Sequence, residues 1–285
     1  MGRHLEFNAQ SRGLWEGFTD HRARVTRQLE VGGQPGRSRL CILGAGNCND
    51  LDLPALLKAH GEVSLVDLDH EALARAVERQ GVSTRPSLHR LAGIDLTGML
   101  DRFAAWSATT PIPPRDLTAL VEEPTRRVLP ALPGPFDLVA STCLLSPLIG
   151  NAFHSVGETH PQFMAVVQSI RAGHLRLLAR LAAPGAQALL VTDVISSERC
   201  PELPDWSDAE LPERLAALGR DRNHFHGLSP DVLWSTFEDD PVLHALVAER
   251  ESLPPWRWRL HNRVYLVWAI RFKTAPGLLL GKTSA

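Results

Sequence analysis

The 285-residue chain has little of what marks several protein classes. It has four cysteines, Cys41, Cys48, Cys143 and Cys200, and no two form a C-x-x-C pair. At this size a disulfide framework is not expected, and a reducing cytoplasm is the expected compartment. Neither sign of charge dominates: 30 Lys and Arg stand against 32 Asp and Glu, for a formal charge of −2. That excludes the basic excess by which a nucleic acid or an anionic membrane surface is recognised. No apolar run reaches the ~18 residues of a membrane span. The N-terminal stretch MGRHLEFNAQSR has no apolar signal core. No internal repeat is visible. What is plentiful is hydrophobic side chain, 44% of the residues, ample for a large core.

Residues 14–30 predict a helix with Leu14, Phe18, Val25 and Leu29 on one side. GGQPGRS follows as a joint. Residues 1–37 are therefore read as an N-terminal helical lid or substrate segment, and 38–285 as the main domain. There RLCIL is a strand, LPALLKAH a helix with Pro54 in its first turn, and EVSLVDLD a second strand. HEALARAVERQG is a helix stopped by Gly81, and SLHRLAGIDL a weaker strand. Residues 97–135 predict two helices of an insertion. FDLVAST, 136–142, is the fourth strand. A long helix ends at Pro184-Gly185, and AQALLVTDV is the fifth strand. Residues 196–254 predict a second helical insertion. WRWRLHNRVYLVWAIRF predicts two strands about a tight turn at His261-Asn262. Strands alternating with helices and closed by an antiparallel pair imply an α/β fold, doubly wound, mostly parallel, with helices on both faces.

LCILGAGNCNDLDL, residues 40–53, forms the first strand–turn–helix corner. Two ligands compete for it. A nicotinamide dinucleotide fingerprint needs G-x-G-x-x-G; Gly44 and Gly46 fit, but the third position is Asn49. A pyrophosphate at the helix mouth would also meet Asp50 and Asp52. S-adenosylmethionine carries no phosphate. Its sulfonium and ammonium tolerate nearby acids, and its carboxylate can take backbone N–H groups. The corner favours that cofactor. Asp67, near the end of the second strand, can accept both ribose hydroxyls. Asp69 is its rival, and just before a helix it also reads as an N-cap. Asp95 in GIDL can accept from the adenine amine or cap the helix that follows.

The glycine turn, VDLD, GIDL, FDLVAST, the long helix ending LAAPGAQALLVTDV and the terminal strand pair together resemble a class I S-adenosylmethionine-dependent methyltransferase. The resemblance covers roughly residues 38–273. It implies a Rossmann-like seven-stranded sheet with the last strand antiparallel. It also implies that Gly44, Ala45, Gly46 and Asn47 line the methionine part, that Asp67 and Leu68 lie at the ribose, and that Asp95 and Leu96 lie at the adenine. Ser141 and Thr142 would face the methyl group. The chain departs from the family pattern at Ile42, where an acid is common, and at Cys48, where glycine is frequent. Asn47, Asn49 or Asp50 then substitute in holding the amino-acid moiety.

Methyl transfer is an in-line displacement that mainly needs alignment, with a base only for a protonated acceptor. STCLLSPLIGN after the fourth strand lacks the Asn/Asp-Pro-Pro-aromatic motif that amino methyltransferases acting on adenine or glutamine share. No basic stripe with interleaved aromatics suggests RNA. A small-molecule acceptor is expected. His154, in the long loop after the fourth strand, is the first candidate base, and His226 in NHFHGLSP the second. His160 reads as a cap. No metal site is expected, since no Cys/His or H-E-x-x-H spacing is present. Trp206, Trp234, Trp256 and Trp258 are candidates for an aromatic pocket, Trp258 the most readily explained by packing. Two other readings stay open. One is a non-catalytic cofactor-binding or interaction protein. The other is an aminopropyl transferase on the same sheet, disfavoured by the lack of an acidic cluster after the fourth strand.

Overall fold

The computed structural model describes residues 2–221 and 228–277. Its seven strands are β1 (Arg39–Leu43), β2 (Glu62–Asp67), β3 (Leu88–Ala92), β4 (Phe136–Thr142), β5 (Ala182–Ser196), β6 (Val247–Leu260) and β7 (Arg263–Thr274). They form one sheet in the order β3-β2-β1-β4-β5-β7-β6. β1 to β5 pair in parallel, and β7 runs antiparallel to both β5 and β6. The doubly wound, mostly parallel sheet with a reversed last strand is thus the fold the sequence implies.

The helices are α1 (Gly2–Ser11), α2 (Thr19–Glu30), α3 (Leu53–Ala59), α4 (His70–Arg79), α5 (Leu100–Phe103), α6 (Pro114–Glu123), α7 (Leu145–Val156), α8 (Phe163–Leu181), α9 (Leu211–Asp221), α10 (Pro230–Asp239) and α11 (Pro241–Leu246). Strand alternation sorts them onto two faces. Leu40 and Ile42 of β1 pack with Val25 and Leu29 of α2, Leu56 of α3 and Val77 of α4. Cys41 and Leu43 turn to the opposite core, with Leu120 of α6, Leu148 of α7, Val166 of α8 and Phe237 of α10. No helix among the described residues is long and apolar enough to cross a membrane.

Several elements differ from expectation. The helix expected over 14–30 is one 3₁₀ turn, Glu16–Phe18, followed by α2. α1 was not foreseen: it is polar and carries no apolar periodicity for the sequence to display. The long loop expected after β4 is mostly α7. The second insertion ends earlier than 254, because β6 begins at Val247. Pro254 and Pro255 hid that start, and they sit at a register shift between Leu253 and Trp256 on the sheet's edge strand, where missing donors are tolerated.

One close approach fixes the second face. A Cβ on Gly173 of α8 would lie 2.2 Å from the Leu120 carbonyl oxygen of α6. Backbone cannot yield as a side-chain tip can, so Gly173→Ala is expected to destabilise the protein by about 1–3 kcal/mol or more. Thermal melting should show a drop of several degrees. A wild-type melting temperature would mean that the two helices separate freely.

The order β3-β2-β1-β4-β5 also fixes where a ligand can enter. From β1 the chain winds to one side through β2 and β3, then crosses to the other at β4. The crevice opens where that order reverses, beyond the carboxyl ends of β1 and β4. Leu43 is level with Val66 and Ser141 there, and Thr142 with Val191.

Candidate active site

Gly44 and Gly46 both adopt left-handed backbone, with φ +73° and +48°. A Cβ on Gly44 would lie 2.6 Å from Leu144 Cδ1, and one on Gly46 would lie 2.6 Å from Asn8 Oδ1. Torsion favours glycine at both positions, and a side chain there would also push aside the tips of Leu144 and Asn8. The N–H groups of Gly44 and Ala45 both donate to the Val66 carbonyl, at 2.8 and 3.1 Å, which ties the turn to β2. Helix α3 does not start until Leu53, and its N-terminus is closed by Asp52, which accepts from Ala55 N at 3.0 Å. One of the two acids after the turn is thus a cap. The other, Asp50, is not.

Asp50 lines a cavity of about 510 Å³ at the crevice, together with the turn residues Gly44 to Asn49. Thr142, Cys143, Ser146 and Asp193 supply more of its polar lining. Phe18, Phe153, Trp258, Leu260 and Tyr265 supply apolar surface. Burial pushes the Asp50 carboxyl up to about 6, with the Thr142 hydroxyl and Arg22 opposing the rise. Burial also raises Asp193, partly offset by Ser146, whose Oγ donates to Asp193 Oδ1 at 2.5 Å. The Thr142 hydroxyl is buried and turned toward Asp50, whose carboxyl it helps to lower, but it makes no close, well-aligned hydrogen bond. Arg263 lines the same cavity, but its guanidinium is engaged by Glu198 and by the Tyr265 hydroxyl, the latter at 3.0 Å. Arg22 is held by the carbonyls of Trp15 and Asn49.

The aromatic lining is braced from behind. Trp258 stacks on His21 at 4.5 Å and on Tyr265 at 5.0 Å, with Phe18 tilted at 4.6 Å. Trp256 Nε1 donates to His21 Nδ1 at 3.1 Å, so the ring proton sits on Nε2. Burial lowers His21 to about 3, and it stays neutral. Of the four candidate tryptophans, Trp258 is the one in the cavity lining. Trp206 and Trp256 are buried, and Trp234 packs on the core. This reverses the reading of Trp258 as the packing residue.

The anticipated site residues divide. Gly44, Ala45, Gly46, Asn47 and Thr142 line the cavity. Asp67 is buried at its edge and accepts from Gly46 N at 2.9 Å and Asp69 N at 2.8 Å. Leu68 is half-buried beside it. Asp69 caps α4, accepting from Ala72 N at 2.9 Å. Ser141 does not share the cavity with Thr142. Alternation along β4 turns it to the other face, where it meets His174 Nε2 of α8 at 2.8 Å. Asp95 accepts from Thr97 N and from Leu100 N, both at 2.9 Å, and so organises the start of α5. It borders a separate depression, and Leu96 is core. His154 lies exposed on α7 while its neighbour Phe153 takes the cavity side. His160 accepts from Gln162 N at 3.1 Å ahead of α8. His224 and His226 lie outside the described residues. No group of three or more His, Cys, Asp or Glu among the described residues could hold a metal ion.

Two features escaped the sequence reading. Asp193 was visible only as one acid in the apolar strand ALLVTDV. It lines the same cavity as Asp50, though neither acid lies after the fourth strand, where the sequence reading looked for an acidic cluster. The second feature is α1. Asn8 Nδ2 donates to Asp69 Oδ2 at 3.2 Å and approaches Asp67 Oδ1 at 3.5 Å. The turn grips the helix in return: Asn47 Nδ2 donates to Asn8 O at 2.6 Å and to Ser11 Oγ at 3.0 Å. Asn49 Nδ2 donates to Ser11 O at 2.7 Å.

No family model matches the sequence, and no curated protein matches it. Solved structures do. One is the N-methyltransferase NodS from Bradyrhizobium japonicum WM9, 13% identical over 93% of this chain and 99% of that one, with a TM-score of 0.40. Another is magnesium protoporphyrin IX methyltransferase from Synechocystis PCC 6803 with bound SAH, 12% identical over 90% and 83%, TM-score 0.44. A third is a possible exported protein from Bordetella parapertussis, 13% identical over 90% and 67%, TM-score 0.48. At these identities and TM-scores the likenesses fix neither a family nor a chemistry.

Proposed function

We propose that the chain is a class I S-adenosylmethionine-dependent methyltransferase acting on a small molecule. The observation that carries this reading is Asp50. A half-buried carboxylate in the cavity wall beside the glycine turn repels a pyrophosphate and attracts an ammonium or a sulfonium. The neighbouring helix end, which would otherwise bind phosphate, is already filled by Asp52. The residues fit the cofactor. Gly44 to Asn47 leave backbone at the methionine end, Asp50 faces its ammonium, the Thr142 hydroxyl supplies a donor, and Asp67 receives the ribose.

When bound, the cofactor supplies an electrophilic methyl carbon, whose bond to sulfur breaks as the acceptor's lone pair forms the new one. The chain's own task is alignment and exclusion of water. α1 serves as a lid: it lies over the turn, and its Phe7 and Gln10 line the same cavity, with Leu14 just after it. A cavity of about 510 Å³ is in the range of small-molecule sites. His154, exposed on α7, is not assigned the base.

A second reading, aminopropyl transfer from the decarboxylated cofactor, draws support from the Asp50–Asp193 pair. Calorimetry separates the alternatives. S-adenosylhomocysteine should bind and NAD should not. Tight NAD binding with no response to S-adenosylhomocysteine would sink the proposal. Turnover with the decarboxylated cofactor but not with S-adenosylmethionine would favour the second reading. Cofactor binding without turnover of any acceptor would leave a binding protein.

A further inference from the structure

We infer that Asp193 anchors a protonated amine as the methyl acceptor and takes the proton that this amine must lose. The inference rests on the proposed cofactor and goes beyond it to the class of acceptor.

Charge in the cavity lining carries the argument. Among the described residues three charged side chains line it: Asp50, Asp193 and Arg263. Arg263 is matched by Glu198, and Arg22 acts on Asp50 from behind the turn. Asp193 is the lining carboxylate on which no described cation acts. S-adenosylmethionine, seated with its ammonium toward Asp50, leaves Asp193 to the acceptor. An uncompensated buried carboxylate is costly, and a cationic partner removes that cost. The acceptor is the remaining component that can supply it.

Asp193, not Asp50, is the acceptor's partner. Asp50 belongs to the glycine turn and so to the methionine end. Asp193 comes from the end of β5, across Thr142 and Cys143 from that turn. Among the described residues one side chain donates to it, Ser146, and at Oδ1 only. The independent sign of a ligand here is the buried Thr142 hydroxyl, which lines the same cavity near Asp50 without a close, well-aligned hydrogen bond. Around these groups stand Phe18, Phe153, Trp258 and Tyr265. Their ring faces stabilise an ammonium and bury an apolar body. A neutral alcohol would leave Asp193 unmatched, and a carboxylate would be repelled.

The proton balance is complete. The acceptor enters as R–NH3+ and gives one proton to the Asp193 carboxylate. The freed lone pair takes the methyl group, and the electron pair of the broken carbon–sulfur bond stays on sulfur. The product leaves as R–NH2–CH3+, and Asp193 returns its proton to solvent. Burial fits the carboxylate for this by making its protonated form accessible.

The test uses full-length protein saturated with S-adenosylhomocysteine and titrated calorimetrically with monoamines from methylamine to tryptamine. 2-Phenylethylamine is compared with 2-phenylethanol and phenylacetate. The amine should bind at least about tenfold tighter than the alcohol, and phenylacetate should not bind measurably. Asp193→Asn should erase the preference for amine over alcohol while S-adenosylhomocysteine affinity stays near wild type. Methyl transfer from labelled donor to the amine should fall by about 10²-fold or more, with partial recovery in Asp193→Glu. If no amine in the series binds, or the alcohol matches the amine in the wild type, the inference is overturned. The same follows if Asp193→Asn keeps the preference. Failure of S-adenosylhomocysteine itself to bind would instead strike the proposed cofactor, so the two failures are told apart.

Discussion

Asp50→Asn is expected to raise the melting temperature of the free protein and, in the same variant, to weaken S-adenosylhomocysteine binding. Burial holds the Asp50 carboxyl up at about 6, above its ordinary value in an unfolded chain. A folded-state value above the unfolded one means that the folded protein binds the proton more tightly. Ionised Asp50 therefore costs stability, and the cost grows as pH rises from about 4 to about 6. Above that window it is fully present, on the order of 2 kcal/mol after discounting for water in the cavity. Asparagine removes it. At roughly 2–4 °C per kcal/mol the gain should be several degrees at pH 8, shrinking toward nothing near pH 4. The ligand loses a charge-assisted hydrogen bond to its ammonium, about 1.5–3 kcal/mol or roughly ten- to a hundredfold. Scanning calorimetry at the two pH values and titration calorimetry at one give both signs. A variant that melts like wild type at pH 8 would show that Asp50 carries no uncompensated charge. One that binds like wild type would show that the ammonium lies elsewhere.

Asp67 should give a loss of similar size by a different route. Its two oxygens accept from Gly46 N and Asp69 N, so it both rivets the glycine turn and offers a charge to the ribose. Asp67→Ala is expected to weaken S-adenosylhomocysteine binding by about ten- to a hundredfold. Asp67→Asn keeps an oxygen for one backbone donor and should recover part of the turn geometry but not the charged contact. Asp69→Ala should behave otherwise. It removes the cap on α4, costs about 1 kcal/mol of stability and, by releasing Asn8, leaves affinity unchanged or raised. If Asp69→Ala were the variant with the binding defect and Asp67→Asn bound normally, the assignment of the two acids would have to be exchanged.

What could be read beforehand follows physical lines. Strands β1 and β4 match their expected limits, because buried parallel strands are short apolar runs with sharp polar edges. The cap at Asp69 was read beforehand from a local rule, an acid just before a helical pattern; Asp52 obeys the same rule but was read only as an acid near the helix mouth. The facing of side chains across the sheet was harder. Ser141 and Thr142 are adjacent in sequence and looked equivalent, yet period-two alternation sends the hydroxyl of one to His174 and the other to the cavity. His174 had no signal at all: it is a polar residue inside an otherwise apolar helix face, lowered by burial to about 4. Asp193 needed the pairing of β5 with β4 and β7 before its neighbours could be named. The histidine buried behind the aromatic wall, His21, also had no signal: it sits in an amphipathic stretch, and burial takes it out of titration.

The contact between α1 and the glycine turn makes the chain a competitor for its own cleft. On the lid reading, a nucleoside that needs Asp67 binds those molecules in which Asn8 has let go. The measured dissociation constant is then the intrinsic one divided by the fraction so released. Residues of one short turn thereby act with opposite signs. On the proposed function, Asp50 and Asp67 add to affinity by touching the ligand. Asn47 and Asn49, bonded to Asn8 and Ser11, hold the helix seated and subtract from it. Every hydrogen bond that steadies the closed form lowers the population able to load.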